Sequence, residues 1–99
     1  MSVRISNSGD AIIAFLSGEI DHHAAAEMRF FIDGELERST PRLIIFDFSG
    51  VEFMDSSGIG LILGRIRVIS GWGGRAVIEN PRPSIRKMLC LAGLERLIR

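Results

Sequence analysis

Residues 44–65 read IIFDFSGVEFMDSSGIGLILGR. The run from Leu43 to Phe48 is nearly continuous in apolar side chains, as strands buried on both faces are, with Asp47 near its C-terminal end. Asp55-Ser56-Ser57-Gly58 is a turn, and the apolar segment behind it fits a helix from about Ser57 to Ser70. Ile59, Ile62, Leu63, Ile66 and Ile69 would form its inner face, with Arg65 and Arg67 outside it. Glycines at 58, 60 and 64 interrupt that helix, and each costs about 1 kcal/mol relative to alanine. Three such costs need a reason.

Upstream, Val3 to Asn7 and Ala11 to Leu16 read as two strands joined by Ser8-Gly9-Asp10. Asp21 can cap a helix whose apolar positions Ala25, Met28, Phe31, Ile32 and Leu36 recur at steps of three and four. Phe30 falls off that stripe, as a partly covered edge aromatic or as part of a partner surface. Downstream, Gly71-Trp72-Gly73-Gly74 stops the second helix, with Trp72 expected to be exposed. Ala76 to Glu79 is a short strand, and Pro83 to Leu91 a helix with Ile85, Met88, Leu89 and Ala92 inward and Gly93 as its cap. A last strand is expected from Leu94. The order β-β-α-β-α-β-α-β predicts one α/β layer whose later strands run parallel through right-handed crossovers.

The chain has 99 residues, one domain's length, of which 46% are hydrophobic. Twelve Lys and Arg balance twelve Asp and Glu, so no net charge draws a polyanion, and nucleic acid is not an expected partner. Cys90 stands alone, which excludes an internal disulfide and a cysteine metal framework and fits a cytoplasmic protein. The N-terminus lacks a signal-peptide core, no apolar run approaches the roughly 18 residues of a membrane span, and no membrane association is expected. A monomer is expected from the neutral charge and the few hydrophobic residues off the inner faces.

Ser57 falls at or beside a helix N-cap, next to backbone N–H groups with no intrahelical partner. A phosphate ester brings a charge of about −1.5 to −2, and a helix N-terminus favours such charge by about 0.3–1 kcal/mol. Gly58 and Gly60 would then let a kinase active site approach the hydroxyl, while Gly64 reads as a close helix-to-sheet contact. The plainer alternative is a capped helix packed tightly through small residues.

FMDSSGIGLILGR, taken with LSGEIDHHAAAEMR some thirty residues earlier, closely resembles the bacterial anti-sigma factor antagonists of the STAS domain family, and among them the sporulation type that opposes the anti-sigma factor of sigma F. The resemblance runs from about residue 3 to residue 99. It implies a single STAS domain over residues 1–99, with a mixed sheet of four to five strands and helices mainly on one face. It implies that Ser57 is the phosphoacceptor, that the anti-sigma factor is itself the serine kinase, and that a serine phosphatase reverses the modification. Asp21, His22, His23, Asp55, Ser56, Gly58, Ile59 and Gly60 would face the partner. Family members often continue past the position of Arg99 into a further helix.

Other classes fit less well. A serine hydrolase elbow would need glycine at position 54 or 55, which are Met and Asp. A phospho-aspartate receiver using Asp47 would need an acidic pair after its first strand and a late lysine, but Ser8-Gly9-Asp10 follows that strand and the only lysine, Lys87, lies within a helix. No phosphate-cradling glycine motif suggests a bound nucleotide, and no cofactor, metal or enzymatic activity is expected. Within the family, an antagonist of a general stress system or a STAS signalling module is the remaining alternative.

Overall fold

The computed structural model describes residues 2–99. Strand β1 (Val3–Ser8) turns through Gly9 and Asp10 into β2 (Ala11–Ile20), its antiparallel partner. Gly9 takes φ +65° at the first central position of this two-residue turn, where a positive φ matches the twist of the flanking strands. Helix α1 (His22–Ser39), β3 (Leu43–Met54), α2 (Ser56–Ser70), β4 (Arg75–Glu79) and α3 (Pro83–Leu91) follow. The sheet order is β1-β2-β3-β4, with β2, β3 and β4 parallel. Two successive crossovers thus lay α1 and α2 side by side, pointing the same way.

Alternation along the strands defines the covered face. Ile12, Ala14 and Leu16 of β2 and Ile44, Phe46 and Phe48 of β3 are buried. They meet Met28, Ile32 and Leu36 from α1, Ile62 and Ile69 from α2, and Ile85 and Leu89 from α3 in one core. Ile13, Phe15 and Ile45, a residue out of phase, are only half-buried. On that side the Arg4 guanidinium lies 4.2 Å from the centre of the Phe15 ring, a cation–π contact.

Asp47 organises the stretch where β3 outruns β4. One oxygen of its carboxylate accepts the Ser49 N–H (2.9 Å) and the Ser49 hydroxyl (2.6 Å), and the other accepts the Asn80 amide at 3.1 Å. Burial pushes this carboxyl up, but the three hydrogen bonds outweigh it and the net direction is down. The remainder of β3, paired only with β2, then runs on to Met54.

Three expectations are corrected here. The chain after Leu94 forms a 3-10 turn, Glu95–Leu97, in place of a fifth strand, and meets the sheet through Ile98 beside Ile78, the Arg99 N–H on the Ile78 carbonyl and the Arg99 guanidinium on Glu79. Gly93, at φ +83°, ends α3, and Leu94 N–H folds back onto Leu89 O, which turns the chain into the 3-10 turn instead of an extended strand. Phe31 is exposed at the edge of α1, whose buried stripe is Ala25, Met28, Ile32 and Leu36. Trp72 is half-buried, and its indole N–H donates to Pro41 O at 2.8 Å.

A fourth concerns α2. Its buried residues are Gly58, Leu61, Ile62, Arg65 and Ile69, so the inner face is rotated from the expected one: Leu61 and Arg65 are inside and Leu63 is 40% exposed. Apolar residues surround this helix, and periodicity alone could not choose the face. Gly58 chooses it, because only glycine fits against Met54 and Ile20. Leu61→Ala is therefore expected to cost about 2–4 kcal/mol and Leu63→Ala under about 1 kcal/mol in urea unfolding. Equal costs would contradict this orientation.

Candidate functional site: two capped helix N-termini and the groove between them

The last parallel pair of β2 and β3 sets Ile20 beside Met54. The next residue on each strand is an aspartate, and each aspartate caps the helix that follows. Asp21 Oδ1 accepts the Ala24 N–H at 2.9 Å, and Asp55 Oδ1 accepts the Ser57 N–H at 2.8 Å. The Asp55 N–H donates to Ile20 O at 3.2 Å, which ties the two caps together. Both helix N-termini, with their unpaired N–H groups and partial positive charge, therefore open at one end of the sheet.

Ser57 is the second residue of α2, with Asp55 as the cap. It is half-buried and faces a groove between α1 and α2 that His22 also lines, whereas Ser56 is exposed and outside that groove. The structure thus brings Asp21, His22, Asp55 and Ser57 to one surface. His23 is exposed on the first turn of α1 but does not line the groove, and Ile59 is half-buried against the core.

The glycines divide. A Cβ on Gly58 would run into Met54 Cγ and Sδ and come within 3.3 Å of Ile20, so this glycine answers to internal packing rather than to a partner's approach. A Cβ on Gly60 or Gly64 would meet nothing within 4 Å. The close sheet contact expected of Gly64 is absent, and both residues instead line the groove.

Sequence reasoning missed the groove's charges. Arg65 is buried with its Nε 2.8 Å from Asp33 Oδ1, and Arg29 Nε approaches the other oxygen of Asp33 at 3.6 Å. The Arg65 contact is one of charge only, since its Nε–H lacks the alignment of a hydrogen bond. Burial pushes the Arg65 guanidinium down from its ordinary value, Asp33 raises it and Arg29 lowers it further. It remains a cation, as arginine does in proteins. The signal available in the sequence was position 65 itself, seven residues beyond Gly58 and so on the same helix face.

Residues 2–99 match the STAS domain family. The chain is 40% identical over 85 residues to the anti-sigma F factor antagonist of Lysinibacillus sphaericus, covering 86% of this chain and 73% of that protein. Its fold superposes on the anti-sigma factor antagonist SpoIIAA in its unphosphorylated form with a TM-score of 0.90 at 34% identity, covering 98% of this chain and 85% of that one. The phosphorylated form of SpoIIAA, described as a Bacillus cell fate determinant, superposes with a TM-score of 0.82 at 34% identity, covering 98% and 88%. Among the described residues no helix is long and apolar enough to cross a membrane.

Proposed function

This chain belongs to the STAS domain family, among its anti-sigma factor antagonists, and on that footing we propose that it binds an anti-sigma factor of the sigma F type and so frees a sporulation sigma factor. Its partner is a serine kinase that phosphorylates Ser57 with ATP and thereby dismisses it, and a serine phosphatase restores the binding form. The chain acts as a regulatory ligand without catalysis of its own, in the cytoplasm.

The observation that supports this best is the pairing of the two caps. Ser57 shares its surface with the carboxylates of Asp21 and Asp55, so a phosphoryl dianion there meets like charge and must be desolvated at a fitted interface. Like charges brought together at an interface cost several kcal/mol, and about 3 kcal/mol weakens binding more than a hundredfold. The switch needs no refolding. In this reading Asp21, His22, Asp55 and Gly60 are the partner contacts on the side of Ser57, with His23, Ser56 and Ile59 at the margin and Gly58 buried beneath them.

A competition measurement tests the reading. The unphosphorylated chain should displace labelled sigma F from its anti-sigma F factor in a saturable, stoichiometric titration. If sigma F stays bound at a large excess of the chain, with a known antagonist displacing it in parallel, the proposal fails.

A further inference from the structure

Gly60 and Gly64 weaken α2, and among the described residues nothing lies within 4 Å of where a Cβ would stand on either. They face a groove of about 470 Å³ whose floor is continued on α1 by Ala25 and Ala26. Such a floor admits another backbone at close range.

The walls carry charge. Arg29, Arg65 and Arg67 line the groove, and Asp33 is the only carboxylate within ion-pair distance of any of them among the described residues. Arg65 is informative because its side chain is only 7% exposed, it faces the groove, and its Nε–H has no aligned hydrogen-bond partner. A buried guanidinium that shares one carboxylate with a second guanidinium, next to a third with none, leaves positive charge for an outside anion.

The phosphoryl group on Ser57 does not fill this role. Arg67 lies ten positions further along α2, about 15 Å at about 1.5 Å per residue, beyond the reach of a phosphoserine. Among the described residues no aromatic ring except the His22 imidazole lines the groove to hold a base, which disfavours a nucleotide. What fits is a chain segment that covers Ser57 and continues along α2, as about five extended residues or a short helix would.

We propose that the groove between α1 and α2 docks an acidic segment of the anti-sigma factor, with its backbone over Gly60 and Gly64 and its carboxylates on Arg67, Arg29 and Arg65. This rests on the antagonist reading above and adds to it the element of the partner that is recognised. It gives the two glycines a function.

Titration of the anti-sigma F factor with wild type, Gly64→Leu, Arg67→Glu and Arg67→Lys, at low and high salt, tests it. Gly64→Leu fills the groove and Arg67→Glu reverses its charge; each is expected to weaken binding at least tenfold, with Arg67→Lys retaining most of the affinity. Wild-type affinity should fall more steeply with salt than that of Arg67→Glu. Gly64→Leu should melt no lower than wild type, since leucine is the better helix former and a Cβ at this position meets nothing within 4 Å, so lost binding would not reflect unfolding. If both substituted chains bind like wild type while wild type binds its partner normally, the groove proposal is overturned and the antagonist reading stands. If wild type itself fails to bind, both fall. ATP titrated alone is the remaining arm: binding to wild type that Gly64→Leu abolishes, with the anti-sigma factor bound equally by both, would make the groove a nucleotide site and overturn the proposal.

Discussion

Phosphorylation of Ser57 is expected to weaken binding to the anti-sigma factor more than about a hundredfold, and Ser57→Asp, with roughly half the added charge, about tenfold. Ser57→Ala should bind like wild type and never be released by the kinase. The loss can be assigned to the interface, because an acidic residue in the first turn of α2 stabilises the helix by about 0.3–1 kcal/mol and should leave thermal unfolding unchanged or raised. Ser56→Asp is the control: it adds the same charge one residue away, on an exposed side chain outside the groove. Equal losses from both aspartates would mean that general charge, and not the position of Ser57, governs the interface.

Phe46→Ala is expected to have the largest effect on stability. Phe46 is 0% exposed in the first half of β3, between Ala14 of β2 and Ile78 of β4. Truncating a buried phenylalanine costs about 3–5 kcal/mol, against a total of about 5–15 kcal/mol for a domain. The urea midpoint should fall by a large fraction with the slope unchanged. Because β3 leads directly into Asp55, the cap of α2 beside Ser57, partner binding should decline with the folded fraction and recover when a stabilising solute restores it. A shift below 1 kcal/mol would show that the core does not rest on this strand.

How much of this was legible in the sequence depended on whether one local signal could decide the question. Asp21 and Asp55 each precede a helix, and both prove to be its cap. The hairpin followed from Gly9, and the parallel layer from strands alternating with helices. The inner face of α2 did not, because apolar residues lie all around that helix and its orientation is set by contacts of Gly58 with β2 and β3, remote in sequence from most of it. The same rotation carries Arg65 inward to Asp33, a pairing between helices that no window of sequence contains. The strand expected after Leu94 failed for a simpler reason, since the 3-10 turn over Glu95–Leu97 consumes the residues that would have formed it. Of the candidate site, its location was legible from the Asp-Ser-Ser-Gly turn, while the separation of Gly58 from Gly60 and Gly64 needed the neighbours of each.

The most direct measurement is to incubate the chain with ATP and the anti-sigma F factor, determine the intact mass, map the modified peptide across residues 51–65, and pass the product over immobilised anti-sigma factor. One phosphoryl group, on Ser57, in a product that no longer binds is the predicted result. A phosphoryl group on another residue, no modification by a kinase active on a known antagonist, or a Ser57-phosphorylated chain that binds undiminished would contradict it.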